Sequence, residues 1–221
     1  MTEHLTSPSS AQTIEDFIAR LERRDTRMGV IGLGYVGIPL ALRFHDVGFA
    51  VVGFDIDDER VTVLNAGQSP IQHISATDIT AMVEGRFEAT TDFARIEDVD
   101  AIIICVPTPL SRHREPDLSF IVETMKAISP HLRAGQMLSL ESTTWPGTTE
   151  EVLRPFVEER GLTVGEDFFL VYSPEREDPG NLNFSTHSIP KVVGGATPGC
   201  RAVAERLYAA AVAKGGPVTS T

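Results

Sequence analysis

Apolar residues recur along this chain with two periods, arranged in alternating blocks. Ile14, Phe17, Ile18 and Leu21 fall at i, i+3, i+4 and i+7, which predicts a short helix with one apolar stripe. The apolar run at 28–33 predicts a buried strand, 36–44 the helix that follows it, and 49–54 a second strand. Helices are then expected at 57–65, closed by Gly67 as a C-terminal glycine, and at 77–83. A short strand at 87–90 and a helical turn at 92–96 lead into the β-branched run 101–106, which has the pattern of a central strand buried on both faces. Next come a helix at 118–132, with Phe120, Ile121, Met125 and Ile128 inward, and a strand at 137–140. A helix at 149–160, strands at 168–172 and 191–194, and a helix at 198–213 complete the series, and Pro217 and Val218 open a further element. Strands alternating with helices predict an α/β fold, a doubly wound parallel sheet in a single domain with an N-terminal helical extension. The expected division is a polar tail and short helix at 1–27, the sheet domain at 28–215, and the start of a linker at 216–221. The 14–21 helix is expected on the domain's surface or on a partner subunit.

The turn between the first strand and its helix reads Gly32-x-Gly34-x-x-Gly37, and the second strand ends on Asp55, 23 positions after Gly32. A glycine triplet alone is a common turn. Flanked by strand, helix, strand and acid, it describes a dinucleotide site and makes the sheet Rossmann-like. Gly32 permits the tight turn, Gly34 lets backbone approach a pyrophosphate, and Gly37 allows close helix packing. The N–H groups at the helix start favour phosphate. Asp55 would accept hydrogen bonds from ribose hydroxyls and repel a 2′-phosphate, which favours NAD over NADP.

Ligands in such sheets lie beyond the carboxyl ends of the strands, so the other strand exits are candidates too. Val106-Pro107-Thr108-Pro109 either lines the middle of a cofactor, through Thr108 and nearby backbone, or is a proline-stiffened strand exit. Thr143, immediately past a strand, is placed to hold a water or a substrate oxygen, whereas Thr148 or Thr149 suits the N-cap of the next helix. Glu175, in the turn-rich stretch after Tyr172, is either a proton carrier or a surface charge, while Glu177 and Asp178 read as solvated loop charges.

Composition removes several alternatives. A net charge of −12 without any Lys/Arg run argues against nucleic acid or an anionic membrane as partner. The longest clean apolar stretch, 101–106, is far too short to span a bilayer, and the N-terminus lacks a basic-then-apolar signal pattern. Cys105 and Cys200 give no disulfide framework and suit a reducing cytoplasm. Cys105 is expected to pack inside its strand, and Cys200 to open a helix.

Taken together and in order, IGLGYVGIPLA, GFDIDDERVTVLNAG, SPIQHIS, IICVPTP, ESTTWPGTTEEV, YSPEREDPG and KVVGG resemble the N-terminal domain of the nucleotide-sugar (UDP-glucose/GDP-mannose) dehydrogenase family. The resemblance implies that Gly32, Gly34, Tyr35, Val36, Gly37, Asp55, Ile56 and Arg60 hold the adenosine and pyrophosphate of NAD. It implies that Val106, Pro107 and Thr108 line the nicotinamide side, that Thr143 touches the cofactor and orders a catalytic water, and that Glu175 serves a hydrolysis step. Family members oxidise the C6 alcohol of a sugar nucleotide to a carboxylate with two hydride transfers to two NAD⁺, through a cysteine-bound thiohemiacetal and thioester. The wording SPEREDPG resembles the branch acting on UDP-N-acetylhexosamines (UDP-GlcNAc or UDP-ManNAc). Gln72 departs from the glutamate many relatives carry there. The family's catalytic lysine and asparagine, its nucleophilic cysteine and the accompanying aspartate lie beyond Thr221, so the resemblance implies a cofactor domain that binds NAD and does not turn over alone. The family dimerises chiefly through a central helix also beyond Thr221, so a homodimer here would need another surface, such as the Ile14/Phe17/Leu21 stripe. β-Hydroxyacid dehydrogenases share a similar glycine turn, but STTWPGTT and SPE argue against them. The alternative of a different class is a non-catalytic NAD- or partner-binding module.

Overall fold

A computed structural model describes residues 10–110, 115–174, 191–211 and 218–220. Its strands are β1 (Arg27–Ile31), β2 (Ala50–Phe54), β3 (Phe87–Thr90), β4 (Ala101–Ile104), β5 (Gln136–Leu140), β6 (Phe168–Tyr172), β7 (Lys191–Gly195) and β8 (Val218–Ser220). They form one sheet in the order β3-β2-β1-β4-β5-β6-β7-β8. All pairings from β3 across to β6 are parallel. The strand order reverses on either side of β1, with β2 on one side and β4 on the other, and this opens a crevice at their carboxyl ends.

The helices are α1 (Ser10–Arg23), α2 (Gly37–Asp46), α3 (Asp58–Asn65), α4 (Ala76–Glu84), α5 (Ser119–Ile128), α6 (Arg154–Glu158) and α7 (Pro198–Ala211). Every residue of β4 and β5 is buried, as continuous apolar runs between two helical layers require. Polar side chains set the starts of two helices: Asp57 caps α3 and Ser75 caps α4.

Five expectations need correction. β7 runs antiparallel to β6, and β8 runs parallel to β7, so the sheet is not parallel throughout. An antiparallel return needs no crossover helix, and the stretch between Tyr172 and Lys191 carries no helical period. The helix expected at 118–132 ends at Ile128 and tightens into a 3₁₀ turn at Ser129–His131, because Pro130 has no N–H for the α-helical ladder. The helix at 149–160 begins as a π-helical turn, Thr149–Leu153, for a related reason: Pro155 cannot donate to the carbonyl four residues back. Phe120 is exposed rather than inward. β4 stops at Ile104, and Cys105 is half-buried just past it, although its N–H still donates to the Ile31 carbonyl at 2.8 Å.

The amphipathic stripe of α1 is taken up inside the chain. Phe17 and Leu21 are buried, α1 packs along α7, and the Phe17 ring meets Phe169 of β6 edge-on at 5.5 Å. Phe17 and Leu21 are therefore not open to a partner subunit, while Ile14 and Ile18 are half-buried. Below it, at the amino ends of the strands, Asp100 is surrounded by donors: Arg20 Nη1 at 2.9 Å, Arg133 Nη2 at 3.0 Å and the Arg27 N–H at 2.9 Å. Burial favours the neutral acid, but these hydrogen bonds outweigh it and hold the Asp100 carboxyl below the usual range.

Candidate functional site

The three glycines of the first turn meet three different surroundings. Gly32 has φ +91°, and a Cβ there would lie 2.9 Å from the Cys105 carbonyl oxygen. At Gly37 a Cβ would come 1.9 Å from the Gly32 carbonyl oxygen, so only glycine lets α2 start this close to the turn. Gly34 is the opposite case, where the nearest atom to a Cβ would be Arg60 Nη1 at 3.9 Å. Two glycines are closed in by backbone, while the middle one meets only the end of the Arg60 side chain, at van der Waals distance. That difference is what backbone approach by a ligand requires. The N-cap of α2 is Val36, which makes no side-chain cap bond, and the first turn carries no acid. Its leading N–H groups suit an anion.

Asp55 sits one residue beyond β2 with its side chain largely buried. Its Oδ2 accepts from the Leu33 N–H at 2.8 Å and its Oδ1 from the Asp57 N–H at 3.1 Å, which fixes the carboxylate beneath the glycine turn. Arg60, in the first turn of α3, donates through Nη1 to the Leu33 carbonyl at 3.0 Å. Its Nε stands 3.9 Å from Asp55 Oδ2 and 3.8 Å from Asp57 Oδ2.

The ends of β4 and β5 supply the far wall. Ser142 Oγ donates to the Val106 carbonyl at 2.7 Å and ties the two exits together. Thr108 is half-buried there, and Thr143 is exposed. Thr148 turns back to donate to the Trp145 carbonyl at 2.8 Å and does not cap the following helix with its side chain. These walls enclose a pocket of about 790 Å³. Gly32, Gly34, Tyr35, Val36, Asp55, Ile56, Arg60, Val106, Pro107, Thr108 and Thr143 all line it, and Gly37 supports it from behind. Glu175 lies outside the described residues.

Several contributors were not foreseen from the sequence. Phe120 and Thr124 of α5 also face the pocket, and so does Cys105. Tyr35 stacks on His73, with ring centroids 5.5 Å apart and planes 17° from parallel. Behind the β5 exit is a buried polar cluster. The Glu141 carboxylate pairs with the Lys191 ammonium and accepts from the Tyr208 hydroxyl, which also bonds Ser139 Oγ at 2.7 Å. Burial, together with the adjacent Glu141 charge, pushes the Tyr208 phenol well above its ordinary pKa. The only sequence signal for this cluster was a charged residue at the end of each of two apolar strands.

The profile of the UDP-glucose/GDP-mannose dehydrogenase family, NAD binding domain, matches residues 26–212. The chain belongs to this family, as its NAD-binding domain. It is 38% identical over 186 residues to the UDP-N-acetyl-D-glucosamine 6-dehydrogenase of Pseudomonas aeruginosa, covering 84% of this chain and 43% of that protein. Against the UDP-N-acetyl-D-mannosamine dehydrogenase of Escherichia coli K12 the identity is 36% over 192 residues, covering 82% and 44%. Among solved structures, the NDP-N-acetyl-D-galactosaminuronic acid dehydrogenase of Methanosarcina mazei Go1 superposes with a TM-score of 0.82 at 32% identity, covering 95% of this chain and 46% of that one. The chain thus spans less than half the length of these relatives. Among the described residues no helix is long and apolar enough to cross a membrane.

Proposed function

We propose that this chain is the cofactor-holding part of a nucleotide-sugar 6-dehydrogenase acting on a UDP-N-acetylhexosamine. The contrast among the glycines carries the NAD half of this reading: a Cβ at Gly34 would clash with nothing and touch only the end of the Arg60 side chain, while Gly32 and Gly37 are filled from behind by backbone. The α2 N-terminus would hold the pyrophosphate, and Asp55 the adenosine ribose, its carboxylate already oriented by two backbone N–H groups. NAD supplies the hydride acceptor when bound. The protein's own part is to fix the nicotinamide end between Val106–Thr108 and Ser142–Thr143, where the Ser142 bond to Val106 keeps the two walls in register. Thr143, exposed on that rim, would hold a water or a substrate hydroxyl, and Glu175 would act in the hydrolysis step.

The sugar assignment rests on the SPEREDPG wording and on the names of the relatives. Completing the oxidation calls for an activated thiolate, and neither cysteine suits that role. Cys200 is fully buried, taking the Leu170 N–H at 3.4 Å and the Thr197 hydroxyl at 3.2 Å. Cys105 lies at the foot of the glycine turn, on the cofactor side. The nucleophile would come from residues outside these 221. Among the described residues, the large hydrophobics left exposed are Tyr35, Ile56, Leu110, Phe120 and Trp145, all at the carboxyl end of the sheet. That supports a rim covered by cofactor and by further protein in the working enzyme. The low cysteine count suits a cytoplasmic enzyme.

Calorimetric titration with NAD⁺, alongside the Asp55→Ala variant, tests the reading. Saturable binding that the variant loses is the expected result. A folded chain that binds no NAD⁺ would favour an interaction module instead.

A further inference from the structure

Arg60 is surrounded by the protein's own acceptors. One guanidinium nitrogen bonds the Leu33 carbonyl at 3.0 Å, and Nε is held between two carboxylates, 3.9 Å from Asp55 and 3.8 Å from Asp57. That Nε is buried and has no hydrogen-bond partner, so the carboxylates hold it by charge and not by a formed bond. Arg60 also lines the cofactor pocket beside Asp55, the residue expected to meet the adenosine ribose. A guanidinium at this place is the group that would clamp a 2′-phosphate, because it offers a planar fork of donors to a dianion.

We propose that Asp57 is a second determinant of NAD-versus-NADP choice, acting by holding Arg60 out of the 2′-phosphate role. The inference rests on the NAD-binding reading above. Asp55 repels a 2′-phosphate directly. Asp57 acts through Arg60: its charge, with that of Asp55, balances the guanidinium and keeps it directed at the glycine turn. The NAD site therefore carries a guanidinium that is kept from a 2′-phosphate. Asp57 is a positioning residue, and its two functions are separable. Its Oδ1 caps α3, accepting from the Glu59 and Arg60 N–H groups at 3.0 and 3.2 Å, while Oδ2 faces Arg60 Nε. Asparagine caps a helix about as well as aspartate, so Asp57→Asn removes the charge and leaves the cap.

The test uses the 221-residue chain and titrates NAD⁺ and NADP⁺ against the wild type, Asp57→Asn, and the double variant Asp57→Asn/Arg60→Gln. The quantity read is the ratio of the NADP⁺ and NAD⁺ dissociation constants. In Asp57→Asn the ratio falls about five- to tenfold, the scale of one partly exposed charge pair made with a phosphate dianion. In the double variant it returns towards the wild-type value. Adenosine 2′,5′-bisphosphate against AMP follows the same pattern without the nicotinamide half. A purely structural role for Asp57 would weaken both cofactors together and leave the ratio where it was, which overturns the proposal. A lowered ratio that persists without Arg60 overturns it as well. NAD⁺ binding with an unchanged ratio rejects this inference alone, whereas a folded wild type that binds neither cofactor rejects the functional reading and this inference with it.

Discussion

The two ends of the parallel strands β1–β6 are built on opposite terms. At the amino end Asp100 gathers two arginines and a backbone N–H, and α1 closes over the neighbouring strands with Phe17 and Leu21 buried. At the carboxyl end the pocket is open, no backbone closes in on Gly34, large apolar side chains meet solvent, and Arg60 Nε is held only by charge. The same strands supply both ends, so the difference lies in what their flanking residues leave unsatisfied. A satisfied end contributes to stability, and an unsatisfied end is available to a ligand. Substitutions at the amino end should therefore move stability without moving NAD⁺ affinity, and most of those at the carboxyl end should do the reverse.

The exception should give the largest effect. Glu141 and Lys191 lie at the carboxyl end of the sheet yet are buried and paired like the amino-end network. Lys191→Met leaves the Glu141 charge without its cation and is expected to destabilise the chain by about 3–5 kcal/mol in urea unfolding. The double change Glu141→Leu/Lys191→Met should cost clearly less, because it leaves no charge stranded. Equal losses in the two would mean that packing, and not charge pairing, is what the cluster contributes. Gly37→Ala comes next, since its Cβ must displace the Gly32 carbonyl oxygen 1.9 Å away. A loss of about 3 kcal/mol is expected, together with loss of NAD⁺ binding, because the turn itself has to move.

At the amino end, Asp100→Asn should cost about 2 kcal/mol at neutral pH, with NAD⁺ affinity unchanged. Asp100 titrates lower folded than unfolded, so its contribution is complete above about pH 5 and is lost as pH falls through the unfolded value near 4 towards the folded one. Chemical denaturation between about pH 7 and 3 should show a shallower acid limb in the variant. Parallel limbs would remove Asp100 from the acid sensitivity of the fold.

Local patterns in the chain made the open end more legible than the closed one. The glycine triplet, Asp55 and the strand runs are short-range signals, and each names its own chemistry within about 25 residues. The pairings that close the structure span greater distances. Nothing near Asp100 announces Arg20, 80 positions earlier, and nothing near Glu141 announces Lys191, 50 positions later. The stripe on α1 was readable, but its cover on α7 was not, because a stripe states only that something apolar lies opposite. The antiparallel turn-back of β7 was likewise missed, since a strand's own residues do not state its direction. Both prolines that reshape helices, Pro130 and Pro155, were visible in the sequence. The 3₁₀ and π turns they produce depend on which carbonyl loses its donor.

The smallest effect on stability should come from the most exposed large hydrophobic among the described residues. Ile56 is 82% exposed beside Asp55 and lines the pocket. Exchanging it for serine removes little buried area, so urea unfolding should change by less than about 0.5 kcal/mol. Its cost should appear on binding. An adenine ring lying across Ile56 would cover apolar surface now in water, and at about 25 cal/mol per Å² a contact of roughly 30 Å² corresponds to about a threefold change in affinity. Ile56→Ser should therefore weaken NAD⁺ and AMP to the same degree, while nicotinamide mononucleotide, which lacks the adenine, should bind as it does to the wild type. A parallel loss for all three ligands would mean that the substitution disturbs the turn itself, and the division between a stabilising end and a binding end would fail at the residue where it should be clearest.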